Sequence, residues 1–165
     1  MPRARRAVIF LAILACTAGF DQGSKQWAQT LPEGVPQPVI DGYWDWQYAQ
    51  NPGVAFSSFQ DGGSTGVIVL SLVAAFALVG IGIAAARTRP EERMKRAAYA
   101  LIAGGALGNL IDRVRDGAVT DFIRWHVHEH MWPIFNVADA ALLVGVALLL
   151  LESGVSFRRR AMLRT

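Results

Sequence analysis

Four long apolar segments, at about residues 7–26, 66–86, 96–116 and 134–153, constrain this chain more than anything else in it. A helix needs roughly 20 mostly apolar residues to cross a bilayer. Lipid offers the backbone no hydrogen-bond partners, so segments of this length predict helices. The second is the cleanest, GVIVLSLVAAFALVGIGIAAA, without a charge. The first and fourth carry acids at one end. The third is apolar from Ala97 to Ile111 and then meets Asp112 and Arg113. Hydrophobic residues are 53% of the 165, and the mean hydropathy is +0.30. The expected fold is an all-α membrane protein of one domain, residues 1–165. Four transmembrane helices would carry a small extracytoplasmic subdomain of β-strand and loop.

Charge sets the orientation. The chain has 16 Lys and Arg residues. Apart from Lys25, Arg113, Arg115 and Arg124, they precede the first segment, lie between the second and the apolar part of the third, or follow the fourth. The long stretch 27–65 has none and carries Glu33, Asp41, Asp45 and Asp61. Basic loops stay on the cytoplasmic side of a membrane. Both termini are therefore expected in the cytoplasm, with loops 27–65 and 117–133 outside. The net charge of +3 and pI near 9.5 then describe anchoring. Nucleic acid is not an expected partner, because the basic residues form no stripe that could follow a phosphate backbone.

With that topology the polar residues converge. Asp21 and Lys25 fall at the outer end of the first helix. Asn109, Asp112 and Arg113 fall at the outer end of the third. Asn136 and Asp139 open the fourth at the same level, and Asn51 and Asp121 belong to the outer loops. Helical spacing puts Asp21 with Lys25 on one face, and Asn109 with Asp112 and Arg113 on another. Gly104 and Gly108 form a GxxxG pair that allows close helix approach. Ionisable groups in a membrane are costly and point to function. The expectation is one polar site facing the outer side, with Asp121 and Asp139 as its most informative members. Two carboxylates forced together share a proton, the working state of an acid–base pair.

Each group also has a plainer reading. Asp21 and Lys25 make sense as an ion pair at a helix end, and Asp112 with Arg113 as a charged helix boundary. Asn136 suits the N-cap of the fourth helix, with Asp139 at N3 favoured by the helix dipole. Asp121 would also cap a short outer turn. The histidines of HVHEH, His126, His128 and His130, match no established ligand pattern, so a solvated loop and no metal are expected. In YWDWQY (43–48), alternation puts Trp44, Trp46 and Tyr48 on one side of a strand. They would belong to a small sheet resting on the membrane or simply anchor the loop, as would Trp125 and Trp132. The single Cys16 excludes an intramolecular disulfide. A lipidated leader ending at Cys16 fits poorly with Ile13-Leu14-Ala15 and with the three segments that follow.

Five blocks, in order, resemble one family. DQGSK (21–25), NPGVAFS (51–57), GGALGNLIDR (104–113), VTDFI (119–123) and WPIFNVADAAL (132–142) are similar to lipoprotein signal peptidase, the type II signal peptidase of bacteria. Only the basic termini and the second helix, matched in character alone, lie outside the resemblance. Arg124 after DFI and the HVHEH stretch depart from the family pattern. The resemblance implies an intramembrane aspartic endopeptidase of the bacterial inner membrane. It would cleave prolipoproteins just before a diacylglyceryl-modified cysteine, without cofactor. It further implies that Asp121 and Asp139 are catalytic. Asp21, Lys25, Asn51, Asn109, Asp112, Arg113 and Asn136 would bind substrate or support the site, with Asp21, Lys25 and Asp112 the furthest from the chemistry. The expected partners are the prolipoprotein and membrane lipids, around a monomer. The alternative from another class, a small proton-coupled transporter or channel subunit, would need polar residues through the cytoplasmic half, where the four segments are apolar.

Overall fold

The computed structural model describes residues 2–53 and 63–162, with side-chain surroundings for 2–53 and 65–153. Residues 54–57 of the NPGVAFS block, together with Asp61 and Arg164, lie outside the described residues, as do the side chains of Arg158, Arg159 and Arg160. Four helices and four short strands alternate as α1 (Arg3–Ala28), β1 (Gln37–Ile40), β2 (Trp44–Asn51), α2 (Gly63–Ala86), α3 (Arg93–Asp116), β3 (Val119–Val127), β4 (His130–Met131) and α4 (Val137–Met162). The four apolar segments thus fold as helices. Among the described residues, α1 and Thr65–Ala86 of α2 are long and apolar enough to cross a membrane.

The interior is polar and the exterior apolar. The largest fully buried side chains are Lys25, Phe122, Asn136, Thr120, Asp21 and Asp112, of which only Phe122 is apolar. Phe20, Phe76, Leu143 and Leu150 are exposed. This inversion suits a chain whose surroundings are as apolar as its leucines.

α3 is the hub and packs against α1, α2 and α4. Its glycines set the distances. A methyl added at Gly104 would come within 2.6 Å of Thr17 Cβ on α1, and one at Gly105 within 2.5 Å of the Ala138 carbonyl on α4. A methyl at Gly108 would collide with Asp21 Oδ2. The Gly104–Gly108 pair allows the close approach its spacing suggested, its partner is α1, and the contact brings Asp21 onto the polar face of α3.

Two local devices link the helices to the sheet. α3 stops at Gly117, which takes φ +72 and donates its N–H to the Arg113 carbonyl at 3.1 Å. This left-handed cap suits glycine, and it turns the chain straight into β3. α4 begins at Val137, three residues later than its hydropathy suggested. The reason is that Phe135 is held by β3. Its carbonyl accepts from the N–H groups of Phe122 and Ile123 at 3.0 and 2.8 Å, and its N–H donates to Ile123 at 3.1 Å.

The sheet is antiparallel in the order β1-β2-β3-β4. It sits on the end of α1 through aromatic contacts. Trp46 packs edge-on to Trp27 at 5.2 Å and to Trp44 at 4.7 Å, and lies 5.8 Å from Phe122. The register of β2 against β3 shifts between Trp46 and Ala49. Within the shifted part of the strand, Tyr48 Oη accepts from Gln50 Nε2 at 2.7 Å. Beyond the shift Ala49 opposes Asp121. Bulges commonly re-aim side chains beside functional sites, and this one brings Asn51 to Asp121.

Candidate active site

The structure brings Asp21, Lys25, Asn51, Asn109, Asp112, Arg113, Asp121, Asn136 and Asp139 together in one network of polar contacts. Asp121 on β3 is 3% exposed. Its Oδ1 accepts from Asn136 Nδ2 at 2.7 Å and its Oδ2 from Asn51 Nδ2 at 2.9 Å. Asp139 opens α4 and is half-buried. Its Oδ1 accepts from Asn109 Nδ2 at 2.8 Å. Its Oδ2 accepts the Asn136 N–H at 3.2 Å, while its own N–H donates to Asn136 Oδ1 at 2.9 Å. That reciprocal pair is a capping box, with Asp in the place usually held by Glu or Gln. The N-cap reading of Asn136 therefore holds. The same side chain also reaches Asp121, so one buried residue binds both carboxylates, Asp121 through its side-chain NH₂ and Asp139 through its backbone N–H.

Burial pushes the Asp121 carboxyl up to about 6. The hydrogen bond from Asn51 works against this, the nearby charge of Asp139 adds to it, and the bond from Asn136 opposes it. A carboxyl near 6 shares its proton readily at the pH of a cell envelope, as a general acid requires.

Asp21, Lys25 and Asp112 do not touch either of these carboxylates. Lys25 Nζ lies 2.8 Å from Asp21 Oδ2, 2.9 Å from Asp112 Oδ2 and 2.8 Å from Asn109 Oδ1, which uses all three of its donors. The other oxygen of Asp21 accepts the backbone N–H of Ala138 at 2.8 Å. Asp112 Oδ2 accepts the backbone N–H of Thr120 at 3.1 Å. Ala138 and Thr120 are the residues just before Asp139 and Asp121. One buried ion cluster thus clamps both backbones that carry the pair. Buried charges are tolerated only when paired and hydrogen-bonded, and this cluster meets that condition.

Arg113 is half-buried, within electrostatic range of Asp139, Asp121 and Asp112. Its Nη1 makes only a long 3.5 Å contact with the Asn109 carbonyl. Its Nε is buried without a partner among the described residues. Asn51, Arg113 and Asp139 form the more accessible part of the network, while Asn109 and Asn136 lie beneath.

Three supporting residues escaped the sequence. Gln22 Nε2 donates to Asp112 Oδ1 at 2.7 Å and to the Gly108 carbonyl at 3.1 Å. Gln29 Nε2 donates to Thr120 Oγ1 at 3.0 Å. Gln22 inside DQGSK and Thr120 inside VTDFI had only their place in those blocks to hint at a role, and Gln29 had no such mark.

HVHEH lies at the β3–β4 hairpin, apart from this network. His126 faces Asp45 at 3.1 Å, and Arg124 approaches the same carboxylate at 3.4 Å. His128 occupies the turn with φ 52, and His130 is exposed. The stretch is thus exposed apart from His126, which is half-buried beside the Arg124–Asp45 ion pair, and it is not a wholly solvated loop. Among the described residues, no three His, Cys, Asp or Glu side chains converge as a metal ligand set would.

The family model for signal peptidase (SPase) II matches residues 13–155 of this chain. A lipoprotein signal peptidase of Xanthomonas campestris pv. campestris (strain 8004) is 43% identical over 161 residues, covering 93% of this chain and 94% of the relative. Another, from Xylella fastidiosa (strain 9a5c), is 41% identical over 151 residues and covers 87% of each. A solved structure described as a bacterial membrane enzyme, determined by the in meso method at 1.9 Å, is 31% identical. It superposes with a TM-score of 0.73 over 87% of this chain and 91% of that one.

Proposed function

Because this chain belongs to the signal peptidase II family and removes signal peptides from prolipoproteins at a membrane, we propose that Asp121 and Asp139 are its catalytic pair. The observation that carries this is Asn136, whose side-chain NH₂ donates to the Asp121 carboxyl while its backbone N–H donates to the Asp139 carboxyl. Asp139 acts as the base. It is the more accessible of the two and sits in the first turn of α4, where the helix dipole favours negative charge. Asp121 acts as the acid, since burial favours its neutral form.

Asp139 takes a proton from a water, and the resulting hydroxide attacks the scissile carbonyl. Asp121 gives its proton to the carbonyl oxygen, forming a tetrahedral diol. Collapse returns a hydroxyl proton to Asp121. The proton on Asp139 passes to the departing amine of the cysteine, and the C–N bond breaks. General acid and base assistance supplies roughly 10²–10⁴-fold. Arg113 and Asn51 hold substrate carbonyls beside the pair, and Asn109 with Asn136 keeps the carboxyls aimed. Asp21, Lys25 and Asp112 position the two backbones. The diacyl chains stay in lipid, and their binding energy brings the peptide bond to the pair.

All four helices span the membrane. α3 tolerates its charges because it is covered by the other three, and α4 presents Leu143, Val144 and Leu150 outward. The basic segments place both termini in the cytoplasm and the site at the outer face of the inner membrane. Every member of the network comes from one chain, so a monomer suffices. The test is cleavage of a prolipoprotein with and without diacylglyceryl on its cysteine. Cleavage of the lipidated form alone is expected. Equal cleavage of both would refute the positioning role of the acyl chains.

A further inference from the structure

The opposite end of the helix bundle carries a cleft that the peptidase chemistry does not use. It lies between the start of α1, the end of α2 and the start of α3, with a volume of about 420 Å³. Arg3, Arg6 and Arg96 form its polar wall, and Ala7, Phe10 and Leu11 its apolar one. No acidic residue lines it.

Two of these guanidinium groups are fixed in advance by the turn after α2. Arg6 Nη1 donates to the Thr88 carbonyl at 3.0 Å. Arg96 is only 5% exposed. Its Nε donates to Thr88 Oγ1 at 3.3 Å and its Nη2 to the Arg89 carbonyl at 2.9 Å. Neither is paired with a carboxylate among the described residues. Arg6 Nε is buried there with no hydrogen-bond partner. Cations held out of water without a counter-charge are costly, and an anion in the cleft would relieve that cost.

We infer that this cleft binds the phosphodiester headgroup of an anionic phospholipid of the inner leaflet, with Arg6 and Arg96 on the phosphate. A guanidinium fork matches phosphate oxygens, and basic pockets between membrane helices take acidic headgroups. Leu11, 58% exposed, continues the apolar wall outward for an acyl chain. The leader of a signal peptide is an unsuitable occupant, because its first region is itself positively charged. The inference rests on α1 and α2 spanning the membrane in the orientation given above, and not on the aspartate chemistry.

The experiment titrates purified full-length protein in neutral detergent with phosphatidylglycerol and with phosphatidylcholine, reading bound lipid by native mass spectrometry. Prolipoprotein cleavage is measured in parallel to report folding. Phosphatidylglycerol should bind about tenfold or more tightly than phosphatidylcholine: both carry the phosphodiester, but the choline cation would face Arg3, Arg6 and Arg96, and setting like charges together costs affinity. Arg6→Gln should lose that preference while still cleaving prolipoprotein. Ala7→Trp, which fills the cleft from an exposed position without changing charge, should lose it too, and reads the same site if Arg6→Gln folds poorly. Arg115→Gln, at the far end of α3, should keep it. Unchanged phosphatidylglycerol binding in Ala7→Trp or in a folded Arg6→Gln would overturn the inference. Full displacement by millimolar inorganic phosphate would overturn it as well, since the cleft would then be a phosphate site and not a lipid site.

Discussion

Lys25 Nζ on α1 stands 2.8 Å from Asn109 Oδ1 on α3, and this contact fixes the amide that faces Asp139. A lysine only donates, so the Asn109 oxygen turns to it and the NH₂ group turns to Asp139. The Asp139 N–H acts likewise on Asn136, drawing its oxygen and leaving its NH₂ for Asp121. The buried cation thus acts on the Asp139 carboxylate through Asn109, and the Asp139 backbone acts on Asp121 through Asn136.

Removing that cation should be severe. Lys25→Met leaves Asp21 and Asp112 buried without a partner charge, and breaking such a cluster costs roughly 3–5 kcal/mol. Thermal unfolding in detergent should show a large loss. Adding Asp21→Asn and Asp112→Asn to the same chain should recover much of it. An unchanged melting temperature in Lys25→Met would mean the cluster does not hold the helices together.

The glycines of α3 should differ from those of α2. Gly105→Ala would push a methyl to 2.5 Å from the Ala138 carbonyl, next to Asp139. Overpacking of this kind typically costs about 1–3 kcal/mol, and here it should also lower the cleavage rate. Gly80→Ala and Gly82→Ala meet nothing within 4 Å, so they should be neutral or gain up to about 1 kcal/mol from helix propensity. Equal behaviour of the two sets in melting and cleavage assays would contradict the packing described.

Much of this arrangement was legible in the sequence, and its limits have physical causes. Hydropathy marked four segments, and each folds as a helix. Charge placed Asp21, Lys25, Asn109, Asp112, Asn136 and Asp139 at one level, and the network joins them. Asp121 and Asn51 belong to it only through the pairing of β2 with β3, and the bulge that sets that register left no visible mark around Gln47. The late start of α4 follows from backbone bonds of Phe135 to β3, which hydropathy does not register. Thr120 contributes a backbone N–H, invisible to any reading of side chains.

On the proposed mechanism, cleavage should fall as pH rises through about 6. As the acid, Asp121 must begin the cycle protonated. Its carboxyl is raised to about 6, so it keeps its proton below that pH and loses it above. The pH profile of kcat/KM should therefore carry a descending limb near that value, although a coupled pair titrates as a unit. The hydrogen bond from Asn51 favours the ionised form. Asn51→Ala should move the limb to higher pH, and a shift to lower pH would contradict the assignment of Asp121 as the acid.

Orientation is tested by labelling. In a Cys16→Ala background, Asp41→Cys in the turn between β1 and β2 should react with an impermeant thiol reagent from outside. Arg89→Cys, between α2 and α3, should react only after the membrane is opened. The reverse pattern would place the site on the cytoplasmic side.

The most direct test of the catalytic pair is turnover of a diacylglyceryl-modified prolipoprotein by Asp121→Asn and Asp139→Asn. Each keeps the size of the side chain but removes one half of the acid–base pair, and members of a catalytic unit fail singly. Both proteins should insert and fold, and each should lose cleavage by ~10²-fold or more. Asp41→Asn, an exposed acid in the turn between β1 and β2, should cleave like the unaltered protein. If a well-folded Asp121→Asn or Asp139→Asn retains more than roughly a tenth of the normal rate, where loss of an acid or base should remove far more, that aspartate is not catalytic and the mechanism is wrong.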